Sequence, residues 1–286
     1  MNTIANNFIK DIDRLIPRPD IALDVMSLAN QSECDIAGLC RKINQDPSLM
    51  ANMLRLANSA YFGHMKEISS IRDIIVRLGL DSVRMIAITS ASAGILKTPQ
   101  EAYNLEPGAL WRHSHATALL AVLIGRHAKI DGLSSLYSAG LLHDVGKIIL
   151  NRHLQVESMN RGGINDYPTM LALEKALLHT DHAKVGIALL HKWGLPEAII
   201  DPVGSHHNLS ACQYHLPRQI IYLANHLAES IGIPSGDAEN SIYLVKESYE
   251  TAADGLPEIP GFTENMETII NLFYEQFTGA STLEFT

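Results

Sequence analysis

The sequence predicts a nearly all-helical protein, because apolar residues recur at helical spacing and no segment alternates apolar and polar residues as a half-buried strand does. Proline and glycine residues punctuate the chain between the apolar segments. The helical spacing i, i+3, i+4, i+7 is seen, for example, at Ile36, Leu39, Cys40 and Ile43. The predicted fold class is therefore all-α.

Start and stop signals delimit the individual helices. Asp46 has the side chain of an N-cap and precedes a proline at the first helical position, so a helix is expected from there to Gly63. The next helix is expected to begin at Ser69 or Ser70 and to close at Gly79. The later segments predicted as helices are 81–95, 109–126, 136–150, 169–179, 181–192, 217–232, 238–249 and 263–278, with a turn at 160–168.

Composition restricts the classes of function. The 47% hydrophobic and 19% charged residues are typical of a globular protein and too apolar for a disordered one. A net charge of −9 argues against nucleic acid as a partner, because phosphate backbones are bound by clustered Lys and Arg. No apolar run is long enough for a membrane span, and the start lacks a secretory signal, so the expected location is cytoplasmic.

The distribution of polar residues indicates how the chain is divided. The segment between Leu96 and Ala109, KTPQEAYNLEPG, is polar and contains two prolines and a glycine, which is typical of a boundary. Of the 13 histidines, all but His64 lie beyond it. We therefore predict an N-terminal helical subdomain over 1–100, a metal-binding helical domain over 101–235, and C-terminal helices over 236–286 that pack on it.

The motif SAGLLHDVGK at 138–147 carries the chemistry. His143 and Asp144 are adjacent, and adjacent residues of a helix point about 100° apart, so they share one ion only where the helix faces a pocket lined by other helices. Imidazole and carboxylate together suit iron, manganese or zinc. His182, behind the N-cap Asp181, and the pair His206-His207 are further candidates for the same shell.

At these motifs the chain resembles the HD superfamily of metal-dependent phosphohydrolases, and within it the HDOD (HD-related output domain) family of bacterial signalling proteins. The resemblance covers roughly residues 15–230. It rests on blocks that occur in the family's order: LIPRPDIALDVM, DPSLMANMLRLANSAYFG, IRDIIVRLG, WRHS, SAGLLHDVGK, DHAKVG, LLHKWGLP and SHH. The resemblance implies an HD-domain-like helical bundle preceded by an N-terminal helical subdomain.

The related HD-GYP phosphodiesterases imply roles for individual residues. In their pattern Asp144 is the carboxylate that bridges two metals, and Lys147 matches the lysine that contacts substrate phosphate. If the chain is catalytic, Asp144 and Lys147 are its implied catalytic residues. The implied metal ligands are His113, His143, Asp144, His182, His206, His207 and Asn225.

Two departures from that pattern bear on activity. Asn225 stands where the family has an aspartate, so the last ligand brings no charge. The GYP segment is replaced by HHNLSACQYHLP at 206–217. Both departures argue against an ordinary cyclic-di-GMP phosphodiesterase, and they leave binding of one or two metals open.

Some alternatives remain open at the level of sequence. His113 and His115 lie two residues apart in a helix that is apolar on nearly all sides, so periodicity does not decide between them and only the resemblance favours His113. The alternative for His143 and Asp144 is a buried pair that merely organises the bundle. The expected metal is iron or manganese, then zinc or nickel. The expected partner is a small phosphate-containing ligand or a signalling protein.

Three functions are compatible with these residues. The first is a signalling or regulatory module that retains the metal site. The second is an active phosphohydrolase acting on a nucleotide or another small phosphoester. The third is a helical scaffold that works only through protein contacts.

Overall fold

The computed structural model describes residues 8, 19–29, 31, 33–58, 67–161, 169–231 and 258–281, and for 158–161 and 278–281 the backbone alone. Across these ranges the chain is helical and forms no strand, apart from one isolated bridge between Gln100 and Leu105, so the all-α prediction is confirmed. The helices are α1 Asp20–Ala29, α2 Ile36–Ile43, α3 Pro47–Ala57, α4 Ile71–Leu96, α5 Ala109–His127, α6 Leu133–Leu142, α7 Val145–Arg161, α8 Met170–Leu178, α9 His182–Trp193, α10 Glu197–Ser205, α11 Leu209–Cys212, α12 Leu216–Ile231 and α13 Phe262–Ser281.

Side-chain caps set the starts of several helices as predicted. The Asp46 carboxylate accepts from the backbone N–H of Leu49 at 2.9 Å, and the Ser70 hydroxyl accepts from that of Asp73 at 3.1 Å. Each cap satisfies a backbone donor that has no partner inside the helix. Gly79 interrupts α4 with a φ of 79°, where a helix end was expected, so α4 is a pair of helical segments joined at a kink.

The end of α3 was predicted wrongly. The helix ends at Ala57, and Gly63, where its end was expected, lies outside the described residues. The Asn58 side chain donates to the carbonyl of Ile68 at 2.8 Å and accepts from the Ile68 N–H at 2.8 Å. This pair of bonds holds the chain before α4 against the end of α3 and offers the backbone an alternative to another helical turn.

Two clusters of buried apolar side chains form the interior. The smaller one fills the space enclosed by the four helices α1, α2, α3 and α4. It contains Leu39, Ile43 and Met53. The larger one surrounds α5, which is buried on nearly all sides and packs against α6, α12 and α13. Helix α4 contributes to both, with Ile86 in the smaller cluster and Ile88 in the larger. The division at 1–100, 101–235 and 236–286 stays a prediction.

The HD motif lies at a break between two helices, which corrects the single helix predicted over 136–150. Helix α6 ends at Leu142 and α7 begins at Val145, so His143 and Asp144 stand in the turn between them. Gly140 and Gly146, on either side, allow close packing of backbones. A Cβ at Gly140 would lie 2.8 Å from Cα of Ala118 in α5, and one at Gly146 would overlap the carbonyl oxygen of His182 in α9.

Other expectations fall wholly or partly outside the described residues. Helix α7 continues to Arg161, into the predicted turn at 160–168, whose remainder (162–168) is not described. The predicted helix at 238–249 and the predicted helix end at Gly232 are not described either. No helix in the described part of the chain has both the length and the apolar character needed to cross a membrane.

Gly146→Ala should lower the free energy of unfolding by about 2 kcal/mol or more, because the added methyl group meets rigid backbone and α7 must move away from α9. Gly94→Ala is the matched control: Gly94 is an exposed glycine of α4, and an added Cβ there meets no described atom within 4 Å beyond its chain neighbours and the nearby backbone of its own helix. There the change should stabilise by up to about 1 kcal/mol. Urea unfolding measures both, and equal stability of the two variants would contradict the close packing at Gly146.

Candidate metal centre

The structure gathers all of the predicted site residues around one carboxylate. His113 lies in the second turn of α5, and His182 is the first residue of α9. The His206-His207 pair follows α10, and Asn225 lies in the middle of α12. Possible ligand atoms of His113, His143 and Asp144 lie within 4.8 Å of one another, as do those of Asp144, His182, His206 and His207.

The two oxygens of Asp144 face different halves of this cluster. Oδ2 lies 2.6 Å from Lys147 Nζ, 3.3 Å from His143 Nε2 and 3.7 Å from His113 Nε2. Oδ1 lies 3.2 Å from His182 Nε2 and 3.7 Å from His206 Nε2. Although the side chain is only 1% exposed, Oδ1 has no hydrogen bond of acceptable geometry among the described residues. A buried carboxylate oxygen left in this state is suited to a cation.

Within each half, the ligand atoms approach as closely as neighbours around one ion. His182 Nε2 lies 3.2 Å from His206 Nε2 and 2.9 Å from His207 Nε2. In the other half, His113 Nε2 lies 3.2 Å from His143 Nε2. Two ligands at right angles on an ion, each at roughly 2.1 Å, are about 3 Å apart. The donor set and its spacing therefore fit a divalent metal ion.

Outward hydrogen bonds decide which ring nitrogens carry protons. His143 Nδ1 donates to the Gly140 carbonyl at 2.7 Å, and His206 Nδ1 donates to the Val203 carbonyl at 2.6 Å. His182 Nδ1 donates to the Glu174 carboxylate at 2.8 Å. Since all three acceptors are oxygens without protons, each Nε2 turns a lone pair inward. With these tautomers the lone pairs of His182 and His206 face each other, an arrangement that a cation between the rings would stabilise.

The pKa shifts of His206 and Asp144 suit the same arrangement. Burial works to lower the pKa of His182, but the neighbouring carboxylates of Asp144 and Glu174 outweigh it and raise that pKa, so a proton competes with a metal ion for this ring. Burial lowers the pKa of His206 to about 4, so its ring is neutral at neutral pH and free to act as a ligand. Burial by itself would raise the pKa of Asp144, but the neighbouring His143 and Lys147 outweigh it and hold that pKa well below its usual range. Asp144 is therefore an ionised carboxylate in the protein interior.

Glu174 is a site residue that the sequence analysis missed. Its fully buried carboxylate accepts from both the backbone N–H and the ring N–H of His182, at 2.8 Å each, and from the Tyr103 hydroxyl at 2.7 Å. The arrangement is a carboxylate that orients a metal-binding histidine from behind. Burial and the charge of Glu174 raise the pKa of Tyr103 well above its usual value, so Tyr103 remains a donor. The only sequence signal was the acidic Glu174 within helix α8, whose other residues are apolar except for Lys175.

The structure also separates the two histidines that periodicity left undecided. His113 lies in the cluster, whereas His115 stacks on Trp111 with ring centroids 5.5 Å apart. His115 Nδ1 lies 3.4 Å from the Tyr137 hydroxyl, on the opposite side of α5 from the cluster. His115 therefore has a packing role.

Comparison with known proteins places these residues in context. Residues 15–209 match the HDOD domain family, a range that includes every predicted site residue except Asn225. An uncharacterized protein of Treponema pallidum (strain Nichols) is 24% identical over 210 residues, or 72% of this chain and 40% of that protein. The chain thus spans less than half the length of this curated relative.

Solved structures share the fold. An HDOD domain protein with unknown function from Geobacter sulfurreducens is 28% identical, with a TM-score of 0.72 over 95% of both chains. A proposed phosphohydrolase from Shewanella amazonensis SB2B is 20% identical, with a TM-score of 0.72 over 95% of this chain and 97% of that one. At that identity the second likeness shows the fold alone.

Replacing Glu174 with Gln should weaken metal binding by about 10- to 100-fold, because the neutral amide no longer holds the His182 ring with its lone pair inward. The measurement is competition for Mn²⁺ or Zn²⁺ against a chromogenic chelator. Glu197→Gln, at a carboxylate that is 74% exposed, is the control and should leave the affinity unchanged. If both variants bind the metal as the unmodified chain does, Glu174 has no part in the site.

Proposed function

This chain belongs to the HDOD family, and we propose that it is a signalling or regulatory protein that holds a divalent metal ion and binds a small phosphate-containing ligand there. One observation carries the metal: two buried ring nitrogens, each with its proton on the far side, face each other at 3.2 Å beside an Asp144 oxygen that accepts no hydrogen bond from the described residues. If His143 and Asp144 served only to organise the helix bundle, the ring nitrogens of His182 and His206 would not need to face each other.

The donor set favours particular metals. The cluster offers imidazole nitrogens and one carboxylate, and neither of its two groups includes a cysteine. Imidazole with carboxylate suits iron or manganese in first place and zinc or nickel in second, whereas thiolate would have favoured zinc.

Lys147 supports the phosphate ligand. Its ammonium lies 2.6 Å from Asp144 Oδ2 and 5.8 Å from the centre of the Tyr103 ring, and its side chain is 16% exposed. His113 beside it is 21% exposed, so the cluster reaches solvent on this side. A phosphate oxygen entering there meets a positive charge next to the metal position. The net charge of −9 keeps nucleic acid the less suitable partner.

A second candidate function is hydrolysis of a small phosphoester, and the position of Lys147 favours it. A bound divalent ion supplies a water molecule whose pKa falls toward about 7. Lys147 would neutralise charge on the phosphoryl oxygens, and Asp144 would hold the site together from between its two halves. Asn225, as an amide, contributes no charge to this chemistry.

Elemental analysis of the purified chain tests the metal. We expect the purified chain to contain a transition metal in a stoichiometric amount. The variant Asp144→Asn should lose it, because the amide removes the negative charge that faces both halves of the cluster. Asp131→Asn, at an exposed carboxylate, should retain the metal. A chelator should lower the stability of the unmodified chain, by about 2.7 kcal/mol if the free metal had stood at a hundred times its Kd. No bound metal under any loading condition would leave the helical scaffold as the function.

Hydrolysis of bis(p-nitrophenyl) phosphate with added Mn²⁺ separates ligand binding from catalysis. Turnover that disappears in His143→Ala supports the second candidate. If the unmodified chain binds phosphate without turnover, the result supports the regulatory function. If Asn225→Asp then gains turnover, Asn225 is the reason for the inactivity. His179→Ala, outside the cluster, is the control for loss of a histidine.

A further inference from the structure

The two halves of the cluster differ in a way that sets how many ions it holds. We propose that one divalent ion binds on the Oδ1 side of Asp144, with His182, His206 and His207, and that the Lys147 ammonium takes the place of a second ion on the Oδ2 side. This inference rests on the metal site of the proposed function and adds its stoichiometry and its asymmetry.

The Oδ1 side is the half suited to an ion, because three ring nitrogens surround a buried carboxylate oxygen that accepts no hydrogen bond from the described residues. His182 and His206 both direct Nε2 lone pairs inward, and Asp144 Oδ1 between them accepts no hydrogen bond from the described residues. His207 brings a third ring nitrogen, 2.9 Å from His182 Nε2. His182 and His206 are 2% and 0% exposed, so water does not easily relieve the mismatch. Three imidazoles and a carboxylate oxygen make a complete ligand set.

On the Oδ2 side, by contrast, the carboxylate oxygen already accepts a hydrogen bond. Lys147 donates to Oδ2 at 2.6 Å. His113 Nε2 lies 3.0 Å from Asn225 Oδ1 and 3.2 Å from the His143 Nε2 lone pair, so a single proton on His113 has an acceptor in either direction. Here Lys147 and His113 can each pair a donor with an acceptor, and only the 3.3 Å approach of His143 Nε2 to Asp144 Oδ2 sets two acceptors against each other.

Glu229 strengthens this distinction by orienting Asn225. The Asn225 Nδ2 group donates to Glu229 Oε1 at 3.4 Å, which turns the amide oxygen toward His113. The Asn225 oxygen then accepts the His113 proton. An aspartate at 225 would instead bring a negative charge into this half and favour a second metal ion.

Charge balance leads to the same count. Asp144 and the buried Glu174 carry two negative charges and Lys147 one positive charge, so one divalent ion brings the sum to +1 and a second would bring it to +3. Lys147 already adds a positive charge at Oδ2, so a second divalent ion would lie beside both an ammonium and another ion. Repulsion between like charges in a buried site is large, and the neutral amide of Asn225 does not offset it.

The test is the number of Mn²⁺ ions bound per chain, measured by calorimetric titration and by elemental analysis after dialysis. We expect one ion for the unmodified chain. The matched variants are His207→Ala and His113→Ala, which each remove one partly exposed histidine from one half. His207→Ala should weaken binding about tenfold or more, and His113→Ala should keep the ion with nearly unchanged affinity. Circular dichroism verifies folding, and His207→Gln replaces His207→Ala if the latter does not fold.

A gain-of-binding variant tests the role of Lys147. The double change Lys147→Gln with Asn225→Asp removes the ammonium and adds a carboxylate, so it should take up a second ion. No ion in the unmodified chain would refute the proposed function itself. Two ions in the unmodified chain, loss of the ion in His113→Ala but not in His207→Ala, or a single ion in the double variant would each overturn the asymmetry while leaving the metal site in place.

Discussion

The buried carboxylate of Asp144 is the group around which the second half of the protein is organised. At 1% exposure an ionised carboxylate is costly unless charges and donors surround it. Its partners come from α5, α7, α9 and the turn after α10, so these elements can pack only in arrangements that bring their polar groups to one point. Gly140 and Gly146 permit this, because they let α5 and α9 approach the motif backbone to backbone.

Much of the remaining polar architecture serves the histidines around that carboxylate. Two helix carbonyls, of Gly140 and Val203, and the Glu174 carboxylate each accept from a ring Nδ1, so that the other nitrogen of each ring faces inward. Buried polar networks of this kind are stable when every donor and acceptor is matched. In this chain Asp144 Oδ2 accepts from Lys147 whereas Oδ1 accepts no hydrogen bond from the described residues, which is why we assign the ion to the Oδ1 side.

The amide of Asn225 makes the two halves of the cluster unlike in charge. The amide lies in the place that the sequence comparison predicted, with its oxygen toward His113. The amide occupies its place in the cluster but brings no negative charge. The cluster therefore keeps its two-sided geometry, and its two halves differ in charge. A regulatory protein requires only that metal and ligand change the stability or the surface of the fold, and one tightly held ion is sufficient for that.

Sequence alone determined the helical class, most helix starts and the composition of the cluster, because caps and apolar spacing act over a few residues and the HDOD motifs occur in order along the chain. It placed His143 and Asp144 within one helix, whereas they lie at a break between two, where packing of Gly146 against the backbone of His182 competes with continued helix. Periodicity left His113 and His115 undecided, and the tertiary structure separated them. Only the tertiary structure revealed Glu174 behind His182 and divided the cluster into two unlike halves. The physical reason is that local spacing decides which residues share a face of a helix, but the neighbour of that face depends on how distant helices pack.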